Sequence, residues 1–379
     1  MNMFEWLSEE ERKDLKLRFD LDPNANVNSI LDEYMKRKRK NRPMLTHDKM
    51  YELYHNSDLV QLWFQTPPCR FSQMGKCTMC NYWNGRKITG LMKTMLSELS
   101  LPEDCQTILI NTCGSCLDPL EVPKEDLLLL LNWLKLCPAQ KVIFETHWTT
   151  LNLKTLNIIN SMLSGKKIMY EIGIESTNSD TLFYLLNKPS SLVDIGGIVK
   201  KIHQHHASTI MNVIFGAPFL NPEEQVEDAV RSISYLLDNH SDYIVLFPVN
   251  IKPHTLFMDL YQRGEYHPVP IRIMADMLLD YFSDKLEKIN VAWFGDRSEE
   301  GVIPPAYCRI CGQRTVYLFQ QYNMLETANE RKIILQQIRR LECNCNVNYL
   351  SEKKQGNIYD RVIQYYNLIK KRGELDEKN

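Results

Sequence analysis

From residue 57 onward the chain alternates apolar runs with helical patterns, and this alternation limits the fold more than any other feature. The strand candidates are Leu59–Phe64, Thr107–Asn111, Lys141–Thr146, Lys167–Ile174, Thr209–Phe215 and Tyr243–Val249. Between them, Leu91–Leu99, Lys124–Leu136, Leu151–Leu163, Ser179–Leu186, Leu192–His206 and Pro222–Leu237 carry helical spacing. Such alternation predicts parallel βαβ units. Six of them are too few to close an eight-fold barrel, so the expected α/β fold is a partial barrel or a doubly wound sheet. In either architecture ligands sit at the carboxyl ends of the strands.

The flanks read differently. Residues 1–55 are polar and helical in pattern, with Ser8 and Glu11 as a capping box and a second helix over Ser29–Arg39 that stops at Pro43. Lys36, Arg37, Lys38, Arg39, Lys40 and Arg42 make a basic run, read as a solvated helix end, with a phosphate or RNA contact as the alternative. Residues 255–290 are mostly helical, 291–296 read as a short strand, and Ile358–Lys371 as a last amphipathic helix. The expected organisation is a helical extension over 1–56, the partial barrel over 57–295, and a small Cys-rich region over 296–379.

Cys69, Cys77 and Cys80 form a C-x7-C-x2-C run directly after the first strand candidate, at the end where ligands are expected. Three thiolates are too few for a closed structural zinc site, which takes four protein ligands. They suit a [4Fe–4S] cluster with one iron left open. A half zinc site or chance clustering is the rival reading in a chain with 11 cysteines. The formal net charge of −2 provides no global field toward nucleic acid or membrane. Acidic residues occupy the place of a signal-peptide core, and no stretch approaches the ~18 apolar residues of a span. Many cysteines in a non-exported chain point to metal or redox chemistry in a reducing, cytoplasmic compartment.

With these segments in order, the chain resembles the radical S-adenosylmethionine (SAM) superfamily. It is similar to the branch that holds the elongator catalytic subunit and the radical SAM subunit of archaeosine synthase. The resemblance is carried by CTMCNYW around Cys80, NTCGSCLDPLEVP (111–123), FETHW (144–148), YEIGIES (170–176), NVIFGAPF (212–219) and residues 245–268. It covers roughly residues 57–270. It implies a partial (β/α)6 barrel, a [4Fe–4S] cluster on Cys69, Cys77 and Cys80, and SAM as cofactor. In the family, one electron from the cluster cleaves SAM, and the resulting 5′-deoxyadenosyl radical takes hydrogen from substrate. Gly114 and Ser115 would then meet the methionine amine, and Glu145 and Glu175 the amine or ribose. Gly216 and Pro218 would line the adenosine pocket, and Met79 would pack near adenine. Structural turns or salt bridges are the competing readings for the glycines and glutamates.

Residues 270–379 are too short and Cys-rich for the elongator's acetyltransferase domain, so that activity is excluded. Cys113 and Cys116 add a second C-x2-C, read as small packing residues. Cys308, Cys311, Cys343 and Cys345 supply four thiolates in two close pairs, for zinc or for an auxiliary [4Fe–4S] cluster, with no metal as the third reading. The expected partners are a small-molecule or peptide substrate and an external electron donor, with no membrane. A modified tRNA base is the alternative substrate implied by the resemblance, and near-neutral charge weighs against it. A non-catalytic iron–sulfur or zinc scaffold is the alternative outside enzymes. A methylthiotransferase ranks low, because no appended RNA-binding domain is evident.

Overall fold

The computed structural model describes residues 31–365, apart from 33–34, 37–38, 40–49, 57–58, 189–193, 293–301, 306–307 and positions 353, 355, 357, 359 and 363. Its strands are β1 (Tyr51–Asn56), β2 (Leu59–Phe64), β3 (Thr107–Asn111), β4 (Lys141–Thr146), β5 (Lys167–Glu175), β6 (Ser208–Phe215), β7 (Tyr243–Pro248) and β8 (Ile289–Val291). They form one eight-stranded sheet in strict chain order. β1 is antiparallel to β2, and every later neighbour is parallel. A doubly wound sheet would need its strand order to reverse. With no reversal, right-handed crossovers return on the same side each time, so the helices cover one face and the sheet curls into a half-barrel.

The two faces have different chemistry, as the period of two along a strand requires. Outward positions such as Ile108, Ile110, Val142, Phe144, Tyr170, Met211 and Leu246 join the helices in the main core. Inward positions Leu109, Ile143, Met169, Ile210 and Val245 form a small separate cluster. Two residues further along each of four strands, the inward face turns polar, at Asn111, Glu145, Glu171 and Asn212. A third cluster joins Leu31 and Met35 to Leu182, Leu185, Leu186, Leu256, Phe257, Val362 and Tyr365.

All six strand candidates are present within a residue or so of their expected bounds. β1 lies where helix was expected: Tyr51 and Leu53 pack on the main core, but this alternation is too short to read in isolation. β8 begins two residues earlier than the 291–296 reading, and 293–296 lie outside the described residues. The Ser179–Leu186 helix is a single π turn, Thr181–Leu185, where Leu186 N donates to Thr181 O at 2.9 Å. Helical residues 31–32, 35–36 and 39 fall inside the expected Ser29–Arg39 helix. The Ser8–Glu11 box and Pro43 lie outside the described residues, as does much of Ile358–Lys371.

Candidate active site

The loop carrying Cys69, Cys77 and Cys80 leaves β2 at its carboxyl end and is tied to its surroundings through its backbone. Cys69 precedes a four-residue helix, Arg70–Gln73, and its N–H donates to Tyr82 O at 3.1 Å. The π turn supplies acceptors on the other side: Cys77 N donates to Asn187 O at 3.2 Å and Thr78 N to Leu186 O at 2.9 Å. The Thr78 hydroxyl donates to Leu185 O at 2.6 Å. Cys77 and Gly75 both take left-handed backbone, at φ 59° and 84°. A Cβ at Gly75 would lie 2.4 Å from Asp32 O, so only glycine lets the loop approach residue 32 this closely. The Arg70 guanidinium forks onto Asp118 at 2.6 and 2.5 Å, fastening this loop to the one after β3.

Burial dominates the three thiols. It pushes Cys77 up to about 12 against the pull of Lys188, and raises Cys80 against Lys252. Cys69 is raised well above the usual thiol range by burial and by Glu121. As metal ligands these thiols would have to give up their protons, which the charge of a bound metal group would draw off.

Several polar atoms around the loop lack protein partners. Glu121, after β3, accepts from Ser115 N at 2.9 Å through one oxygen, while its other oxygen has none. Burial pushes its carboxyl up to about 8. Glu175, at the end of β5, sits at φ 71° beside an irregularity in the β5–β6 register. Lys188 holds one of its oxygens at 2.9 Å and also donates to Gly173 O at 2.5 Å. The second Glu175 oxygen is unpartnered. His147, past β4, leaves Nε2 unpartnered, and burial lowers its pKa well below the usual imidazole range, with Lys188 and Arg70 adding to the effect. Asn111, at the end of β3, is fully buried with neither amide atom hydrogen-bonded. Buried polar groups are nearly always paired, so this set fits a polar ligand seated against the strand ends.

The remaining sequence-predicted residues lie at or after the ends of β2, β3, β4 and β6. A Cβ on Gly114 would lie 2.5 Å from the Glu121 carboxylate, which would have to swing aside to admit it. The Ser115 hydroxyl is engaged with Thr146 at 2.8 Å and Thr150 at 2.9 Å. Glu145 lies on the lumen face, in register with Glu171, which accepts from Asn212 at 2.9 Å. Gly216 takes φ 101°, its carbonyl accepting from the Tyr266 hydroxyl, and Pro218 is buried beside it. Met79 packs with the third cluster. Cys113 and Cys116 are buried, with pKa values raised chiefly by burial, consistent with packing.

Arg39, Asn111, Glu121, His147, Glu171, Lys188 and Asn212 escaped the sequence reading. A signal existed for the strand residues: Leu109/Asn111, Ile143/Glu145, Met169/Glu171 and Ile210/Asn212 repeat one apolar-then-polar step on the same face. Lys188 and Arg39 come from distant segments and had none.

The tail cysteines converge as well. The Sγ atoms of Cys308, Cys311, Cys343 and Cys345 all lie within 4.8 Å of one another. Cys308 and Cys343 are 3.3 Å apart, and Cys311 and Cys345 are 3.6 Å apart. Four thiolates around one tetrahedral ion with ~2.3 Å bonds sit about 3.8 Å apart. Burial would raise the Cys308 thiol, but hydrogen bonds from the Cys311 and Ile310 backbone and from neighbouring thiols bring it down to about 7.

No protein-family profile matches the chain. Archaeosine synthase subunit beta of Methanosarcina acetivorans is 24% identical over 291 residues, spanning 70% of this chain and 80% of that protein. The resemblance is to the radical SAM superfamily. Among solved structures, the Methanocaldococcus infernus Elp3 aligns at TM-score 0.43 and 12% identity, over 67% of this chain and 58% of that one. Methylornithine synthase aligns at TM-score 0.42 and 11% identity, over 85% and 96%. At such scores these structural likenesses carry no argument of their own.

Proposed function

We propose that this protein is a radical SAM enzyme that abstracts hydrogen from an organic substrate. The observation that carries the reading is the loop of Cys69, Cys77 and Cys80, held at the carboxyl end of β2, with unpartnered Glu121, Glu175, His147 and Asn111 atoms at or past the ends of β3, β4 and β5. The three cysteines would hold a [4Fe–4S] cluster, leaving one iron for SAM. Bound there, the cluster supplies, from an external donor, the electron that cleaves SAM to a hydrogen-abstracting radical.

The protein's part is placement and exclusion of water. Close approach at Gly114 and the left-handed turn at Gly216 would let backbone meet the cofactor, with Pro218 and Met79 lining its adenosine end. Glu145 and Glu175 would accept from its amine or ribose. Lys188 fixes the carboxylate of Glu175 while leaving one oxygen for that purpose.

For the tail, the 3.3 and 3.6 Å sulfur pairs favour one tetrahedral zinc. In a cubane each thiolate binds a different iron, which spreads the sulfurs further apart than four thiolates sharing one ion. The proposed boundaries are 1–56, 57–295 and 296–379 for the extension, barrel and Cys-rich region, with the extension's β1 joining the barrel's sheet.

The substrate proposed first is a small molecule or peptide, consistent with the net charge of −2. A tRNA base is the second reading, favoured by the 24% identity to archaeosine synthase subunit beta. tRNA retention at two salt concentrations separates them, since phosphate contacts weaken steeply with salt. Metal analysis after oxygen-free reconstitution tests the main reading: about four irons and one zinc per chain are expected. Zinc without iron would overturn it.

A further inference from the structure

Arg39 belongs to the N-terminal basic run, yet it is 7% exposed. Its guanidinium donates to Ser72 O and lies 3.3 Å from Lys76 O, 3.5 Å from Cys77 O and 3.3 Å from Cys80 O. These four carbonyls run from the short helix after Cys69 to the third cysteine itself. One planar fork therefore gathers the whole loop, which a point-charge ammonium cannot do as well.

Carbonyl acceptors take up its two terminal nitrogens, Nε has no partner, and the positive charge stays buried, which is costly without a counter-charge. Burial lowers the Arg39 pKa; the cysteines oppose this only as thiolates, Cys80 first, then Cys77 and Cys69, and Asp32 opposes it least. Asp32 is already engaged, accepting from Lys76 at 2.8 and 2.7 Å and from Asn187 at 2.7 Å. The remaining charges acting on the cysteines are Lys188 on Cys77, Lys252 on Cys80, Glu121 on Cys69, and Glu175 on Cys77 and Cys80. Arg39 alone of these also binds the loop's backbone at four points.

We propose that Arg39 is a positioning residue for the cluster, latching the cysteine loop and favouring the reduced cluster through its positive charge. The proposal rests on the cluster reading above. Reduction adds one electron from an external donor and no proton, so the site gains one negative charge. A fixed neighbouring cation stabilises that state and raises the reduction potential, since net charge and local hydrogen bonding set it. It also gives the N-terminal segment a function inside the site.

Wild type, Arg39→Gln and Arg39→Lys are reconstituted without oxygen. Reduction by dithionite is followed potentiometrically through the spin signal of the reduced cluster, and iron release to a chelator is timed. Arg39→Gln should lower the midpoint potential and release iron several-fold faster. Arg39→Lys should keep a near-wild-type potential but still release iron faster, because its charge remains while the fork is gone. A fully loaded Arg39→Gln protein with unchanged potential refutes the charge role. Unchanged iron release in both variants refutes the latch. If Arg39→Gln does not fold, release from Arg39→Lys decides. Wild type that loads no cluster defeats the parent reading and this one with it; loaded wild type with unaltered variants defeats only this one.

Discussion

Replacing Lys188 with Met should be among the most damaging single changes at the strand ends. Lys188 and Glu175 are both buried, with their charged atoms 2.9 Å apart. Removing the ammonium strands a carboxylate whose other oxygen already has no partner. Breaking one side of such a pair costs about 3–5 kcal/mol. With an unfolding entropy of ~2.1 cal/mol/K per residue, a 379-residue chain should melt about 4–6 °C lower. Lys188→Met/Glu175→Gln removes both charges and should recover most of the loss, to within about 1–2 kcal/mol of wild type. Glu175 also holds a left-handed backbone at φ 71°, which costs a non-glycine residue roughly 1–2 kcal/mol. Glu175→Gly relieves that strain while losing the carboxylate, so it should melt higher than Glu175→Gln. The assay is reversible thermal or denaturant unfolding of the metal-free protein, arranged as a double-mutant cycle. Additive effects, or Lys188→Met melting within a degree of wild type, would refute the reasoning.

Glu121, raised from its ordinary 4.5 to about 8, holds its proton more tightly in the folded state. Its contribution to stability is therefore complete below about pH 4.5 and is lost as pH rises towards 8. Denaturant titrations across that window should show the decline, and Glu121→Gln should flatten it. Cys308→Ser should lose the tail zinc and lower the melting temperature while leaving iron content unchanged; unchanged metal content and melting would defeat the tail assignment. Gly216→Ala would place a Cβ 2.2 Å from Val269 Cγ2 at φ 101°, so a loss of more than about 1 kcal/mol is expected in an unfolding titration.

Much of the sheet was legible because each parallel strand is apolar on its outward face and bounded by polar turns, as Thr107–Asn111 and Lys141–Thr146 illustrate. The cysteine loop was legible because its spacing is local. What the sequence hid is contact over distance. Arg39 reads as one of six cations in a solvated run, and only folding reveals that it alone, among the described cations of that run, reaches Ser72 and Cys80. Lys188 reads as a loop residue after an ordinary helix, because nothing local signals the π turn that presents Leu185, Leu186 and Asn187 carbonyls to the loop. β1 was missed because its pairing partner, rather than its own pattern, stabilises it. Asn111 and Glu171 were overlooked as strand residues, although their two-residue step from Leu109 and Met169 marked the lumen face.

The third apolar cluster has a consequence for how the protein matures. It brings Leu31 and Met35 against the same group that receives Val362 and Tyr365, more than three hundred positions later in the chain. That cluster therefore stays unfinished during synthesis until the last of these residues has left the ribosome. Chains generally fold as they emerge, yet the main core also waits on late residues, from Leu318 to Tyr349. For the same reason, a stop codon shortly before Val362 would leave every candidate ligand in place and still take Val362 and Tyr365 from the cluster that holds Leu31 and Met35.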